Sequence, residues 1–140
     1  MNDRLNRDEM FYRIADINIP KKENKVDVLE TMKSIKNPNF QDLNGTSYLH
    51  MACQTHCIES IKILLELGAN PNINDNRGFS PVTSALGSIN NNNAEILKLM
   101  LQYGLNLKKM EGGQTLKEWI EMFDDEELNE IIRKKEQSFK

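Results

Sequence analysis

Apolar residues recur along the chain as short helical stripes separated by turns, and the stripes come in pairs. Over residues 58–68 the apolar positions Ile58, Ile61, Leu64 and Leu65 fall on one helical face, and Gly68 stops it. Residues 94–104 repeat that arrangement with Ile96, Leu97, Met100 and Leu101. There Gly104 supplies a left-handed C-terminal position that other residues adopt only with strain. Upstream, residues 7–17 and 25–35 read as two amphipathic helices joined by a Lys- and Asn-rich connector over residues 20–25. Downstream, helices are predicted over about residues 115–123 and 125–135, because Thr115 with Glu118 and Asp124 with Glu127 each have capping-box spacing.

The turns between these helices repeat as well. Asn37-Pro38-Asn39-Phe40-Gln41-Asp42 returns as Asn70-Pro71-Asn72-Ile73-Asn74-Asp75, and Gly45 returns as Gly78, both at a spacing of 33 residues. The same offset carries Ser47 to Ser80, Leu49 to Val82 and Ala52 to Ala85, so it extends into the helix that follows each turn. A fixed period of this length marks a stacked array in which each unit is turn, short helix, loop, longer helix.

At this point the residues resemble the ankyrin-repeat family. The stretch Asp42-Leu43-Asn44-Gly45-Thr46-Ser47-Tyr48-Leu49-His50-Met51-Ala52 looks like that family's D-x-x-G-x-T-P-L-H-x-A signature, and residues 59–75 continue it without a gap. The next unit keeps Asp75, Gly78, Ser80, Pro81, Val82 and Ala85, but it has Thr83 in place of the histidine and three extra residues in the Asn90–Asn93 loop. A third unit begins at Gly113-Gln114-Thr115-Leu116, with Lys117 where the family has an apolar side chain, as suits a terminal cap that meets water. The resemblance implies an all-α solenoid of two full repeats between divergent helical caps. The expected boundaries are 1–41 for the N-terminal cap, 42–74 and 75–109 for the repeats, and 110–140 for the C-terminal cap.

Composition narrows the function classes. With 39% hydrophobic and 28% charged residues, the 140-residue chain has the make-up of a soluble globular domain. No apolar run is long enough for a membrane span, and the first 20 residues lack the apolar stretch of a secretory signal, so a cytoplasmic, membrane-independent protein is expected. The formal charge of −3 and pI near 5.5 argue against nucleic acid and favour a basic protein partner. Two cysteines, Cys53 and Cys57, offer no disulfide framework.

The chemistry-bearing residues have structural explanations. His50, Cys53, His56 and Cys57 could bind zinc if all four converged. The alternative, which the resemblance favours, is that His50 orders its turn and His56 occupies a strained bend where the family has Gly. The acidic residues 124–127 suit a helix start, and Gly112-Gly113 lacks the rest of a phosphate loop. No nucleophile with a base and no carboxylate pair in an apolar setting emerges, so neither enzyme activity nor a metal or other cofactor is expected. Trp119 and Tyr103, at helical spacing, are expected in the core.

A monomer that binds a partner protein on its concave face follows from the resemblance. The expected contact positions are Leu43, Asn44 and Thr46, Gln54 and Thr55, Asn76, Arg77 and Phe79, and Glu111 and Gln114. Among them Arg77 and Phe79 form an aromatic–arginine tip of the composition enriched in hot spots. The resemblance also extends to small stand-alone ankyrin proteins of bacteria, some of which neutralise a cognate toxin as immunity proteins. It therefore implies an intracellular inhibitor of a basic toxin or enzyme, with a non-inhibitory scaffold or adaptor as the alternative.

Overall fold

A computed structural model describes residues 4–20 and 24–137. In chain order the elements are α1 (Glu9–Ala15), α2 (Lys25–Met32), α3 (Tyr48–Thr55), α4 (Ile58–Glu66), α5 (Pro81–Leu86), α6 (Asn93–Gln102), β1 (Met110–Glu111), β2 (Gln114–Thr115), α7 (Leu116–Glu121) and α8 (Glu126–Gln137). Helices this short are marginal in water by themselves, so their stability has to come from stacking. The first helices α1, α3 and α5 pack side by side in one layer, and α2, α4, α6 and α8 form a second. Leu49, Ile61, Leu64, Val82, Leu97 and Met100 fill the space between the layers and are fully buried. The chain is an all-α solenoid.

Local chemistry sets where the helices begin and end. Asp8 and Ser47 accept the backbone N–H of Phe11 and His50 and so start α1 and α3, and Pro81 opens α5 with a preset φ. α1 and α2 are shorter than the stripes over 7–17 and 25–35. Arg7 lies outside α1 and reaches Asp42 instead, with Nε to Oδ2 2.8 Å. Of the connector expected over 20–25, residues 21–23 lie outside the described residues.

The repeated turns hold both themselves and each other. Asp42 Oδ1 accepts the N–H of Asn44 and Thr46 at 2.8 and 2.9 Å, and Asp75 Oδ1 accepts those of Arg77 and Phe79 at 2.9 and 3.0 Å. Gly45, at φ 78°, lies so close to the next turn that a Cβ there would sit 2.6 Å from Asn76 N. Asparagines stitch one repeat to the next. Asn39 Oδ1 accepts Asn70 N–H and Asn72 Oδ1 accepts Asn106 N–H, both at 2.7 Å, while their amides donate to Gly68 O and Gly104 O. Asn39 and Asn72 thus satisfy backbone groups that their neighbouring repeats leave open.

The third turn is built differently. Gly112 and Gly113, at φ 65° and 85°, make a two-residue turn of the type that requires positive φ at both central positions, and it closes the short β1–β2 hairpin. Such a turn needs no aspartate bracket. Glu111 stands 36 residues after Asp75, the same offset that separates Gly104 from Gly68, so it occupies the bracket position. Its carboxylate turns back into the preceding repeat, where it accepts Ser80 N–H (3.2 Å), Ser80 Oγ–H (2.8 Å) and Thr83 Oγ1–H (2.7 Å), with Lys109 Nζ at 3.2 Å. One repeat earlier, His50 Nδ1 meets the equivalent Ser47 N–H and Oγ at 3.1 and 2.8 Å. Glu111 therefore replaces, from the following repeat, the imidazole that Thr83 does not supply. On α7 the position that buries Leu49 and Val82 in the preceding repeats is polar: Lys117 stands there and pairs with Glu136 at 2.9 Å.

Replacing Glu111 with Ala would leave the buried Ser80 N–H and hydroxyl and the half-buried Thr83 hydroxyl without their acceptor and Lys109 without its counter-charge. A loss of about 3 kcal/mol is expected from chemical denaturation. Adding Thr83→His to that variant should restore part of the loss, because the ring regains the place that His50 holds at Ser47.

Candidate partner-binding surface

The expected contact residues lie along three neighbouring turns and the end of α3. Leu43 and Asn44 are exposed on the first tip, and Asn76 and Arg77 on the second. Asn76 joins the two tips, with its N–H donating to Asn44 O at 2.9 Å and its Nδ2 to Leu43 O at 2.7 Å. Thr46 is half-buried behind the first tip. Gln54 is exposed and Thr55 half-buried at the end of α3, and Gln114 is half-buried on β2.

Two of these residues depart from expectation. Glu111 is 2% exposed and its carboxylate is fully engaged with Ser80, Thr83 and Lys109, so it is not a contact position. Phe79 is half-buried, because the Arg77 guanidinium lies 5.3 Å over its ring and its edge faces Gly112 of the hairpin. Arg77 also pairs with Asp75 Oδ2 at 3.2 Å, so the tip is a small stack of carboxylate, guanidinium and ring. Burial raises the Asp75 pKa, but the N–H groups of Phe79 and Arg77 together with the guanidinium outweigh it and hold the carboxyl below its ordinary value.

The four residues with zinc-binding side chains are spent on structure. His50 Nε2 lies 2.9 Å from Phe79 O, so it must donate, and Nδ1 accepts from Ser47: a neutral ring assigned from its partners. Burial lowers the His50 pKa, against the opposing pull of Phe79 O and nearby carboxylates. His56 takes the left-handed conformation at φ 57°, and its Nε2 meets Ala85 O at 2.8 Å. Cys53 and Cys57 are buried free thiols, and burial pushes the Cys53 thiol up. Among the described residues no group of three or more His, Cys, Asp or Glu is placed to hold a metal ion.

A family model described as ankyrin repeats (3 copies) matches residues 20–115, well over half of the chain. The chain belongs to the ankyrin-repeat family. Ankyrin repeats form protein–protein interaction modules. Similar proteins include the human transient receptor potential cation channel subfamily A member 1, 31% identical over 84 residues that span 58% of this chain and 7% of the channel. Another is ankyrin repeat protein L371 of Acanthamoeba polyphaga mimivirus, 30% identical over 103 residues that span 72% of this chain and 13% of that protein. The chain thus spans a small part of the length of these relatives. No helix among its described residues is long and apolar enough to cross a membrane.

Aligning the ankyrin repeats by their helix caps brings further residues into register with Gln54 and Thr55. Counted from Ser47, Gln54 and Thr55 are positions +7 and +8. From Ser80 these are Gly87 and Ser88, and from Thr115 they are Met122 and Phe123, all exposed. Position +4 runs Met51, Ser84, Trp119, with Tyr12 at the same distance from Asp8. Trp119 is half-buried against the core, with its ring edge-on to Phe123 at a centroid distance of 4.7 Å. The count that selected Gln54 and Thr55 was the available signal for Met122 and Phe123.

His50 should make the fold acid-sensitive. Its folded pKa lies below the ordinary 6.5, so below that pH the unfolded chain takes up a proton that the folded site resists, and stability falls from pH 7 toward pH 5. Asp75 adds a further loss below its ordinary 3.8, as its ionised form must be protonated. The His50→Gln variant should be about 1–3 kcal/mol less stable at pH 7 and should lose the slope between pH 7 and 5. Denaturant midpoints at a series of pH values measure both.

Proposed function

We propose that this chain binds a partner protein through its turn tips and first-helix layer and does no catalysis of its own. The observation that carries this reading is the cross-linking of adjacent tips through Asn76 to Leu43 O and Asn44 O, within brackets closed by Asp42 and Asp75. A surface held this way is preformed, so a partner meets it with little ordering cost. The landing site comprises Leu43, Asn44, Thr46, Asn76, Arg77 and Phe79, flanked by Gln54, Thr55 and Gln114. The net charge of −3 favours a basic partner. The finer reading is an intracellular inhibitor, of the immunity type, that occupies a basic enzyme or toxin; it acts as a monomer in the cytoplasm. The alternative is an adaptor that localises its partner without inhibiting it. What favours that second reading is that similar repeat segments occupy 7% and 13% of much longer proteins.

Co-purification of a partner and assay of its activity with and without the chain separates inhibitor from adaptor. Arg77→Ala and Leu43→Ala should each weaken the complex by about 1–4 kcal/mol, mainly through faster dissociation, in surface plasmon resonance. Lys62 and Lys98 are exposed on α4 and α6 in the other layer, and their alanine variants should bind as the parent does. Loss of binding in the lysine variants with retention in the tip variants would move the interface to the second layer. Phe79→Ala also removes a half-buried ring, so its affinity is to be read beside its unfolding curve.

A further inference from the structure

The C-terminal end of α7 carries an apolar surface that the stack leaves uncovered. Met122 is 69% and Phe123 42% exposed, with Trp119 half-buried behind them. α7 is packed chiefly on α8 and the β1–β2 hairpin, and it approaches α5 less closely than α5 approaches α3.

The charge around this surface has one sign. Glu118, Glu121, Asp124 and Asp125 are all exposed beside Trp119, Met122 and Phe123. The nearby cations are already engaged: Lys117 pairs with Glu136 at 2.9 Å, and Arg133 pairs with Glu126 at 2.7 Å and with Glu130. Asp124 also holds a left-handed backbone at φ 52°, where glycine would be easier. Its carboxylate closes no ion pair among the described residues.

Resting on the reading of the chain as a protein-binding module, we propose that Trp119, Met122 and Phe123 form a second anchoring surface. Its occupant is a partner segment that sets an aliphatic side chain beside an arginine or lysine. The aliphatic group covers Met122 and the Trp119–Phe123 edge, and the cation lies over the rings and against Glu121 and Asp124. Neutral or acidic apolar segments would meet the same patch without relief of the carboxylate rim and are disfavoured.

The test is a displayed library of random dodecapeptides selected on the intact chain, followed by titration of the selected peptides. Trp119 is the sole tryptophan, so its emission reports this surface alone. The expected result is enrichment of an aliphatic residue adjacent to Arg or Lys, with a saturable change in Trp119 emission. Affinity should fall at least about tenfold in Met122→Gln and in the paired Glu121→Gln, Asp124→Asn variant, and it should weaken with rising salt. Asp124→Gly separates recognition from folding: relief of the positive φ should raise the melting temperature while binding weakens. Peptides that leave Trp119 emission unchanged, tolerate Met122→Gln and are lost in Arg77→Ala would refute this surface and leave the tip interface standing. Enrichment of acidic or uncharged sequences, or no binder at all, would refute it too. In that case the protein-binding reading is judged separately by co-purification of a folded partner.

Discussion

The fold depends on hydrogen bonds from side chains in one repeat to backbone groups in the next. Each helix pair is too short to persist alone, and each turn carries N–H and C=O groups that its own repeat cannot satisfy. His50 donating to Phe79 O, Gln41 to Asn74 O and Asn72 to Gly104 O answer that need at successive levels of the stack. Apolar burial supplies most of the driving force, but it is non-directional. The directional bonds hold the turns in line.

The Thr83–Glu111 exchange shows how far the sequence can drift while that constraint is kept. In one repeat a serine cap is held by an imidazole three residues later, and in the next by a carboxylate that arrives from the following turn. The exchange is tied to Gly112 and Gly113. Once a two-residue turn closes by its own backbone geometry, the acidic residue at the bracket position is released to reach backward. A buried carboxylate is tolerated there because three donors and Lys109 surround it.

The same bonds make the proposed binding surface rigid. The tips carrying Leu43, Asn44, Asn76 and Arg77 cannot move independently, since Asn76 ties them together and the two aspartates lock their loops. The matching positions at the ends of α3, α5 and α7 change from polar at Gln54 and Thr55, through small at Gly87 and Ser88, to apolar at Met122 and Phe123. A partner bound along this row, as proposed, would meet different chemistry at each repeat.

The 33-residue period, the pairing of stripes such as 58–68 with 94–104, the return of Gly45 as Gly78, and the left-handed glycine at 104 were legible in the chain itself. Each depends on local geometry that a few neighbouring residues determine: one helical face, one turn. So did the bend at His56, where the residue type and its place in the repeat pointed to a left-handed conformation. Only the tertiary structure decided that Glu111 is buried, that Phe79 lies under Arg77, and that Trp119 borders an exposed apolar end. Those outcomes turn on how far a side chain reaches across the gap between repeats and on what waits on the other side. Period and composition place residues along the chain, whereas the reach of a carboxylate from one turn into the previous one is set by the stacking distance.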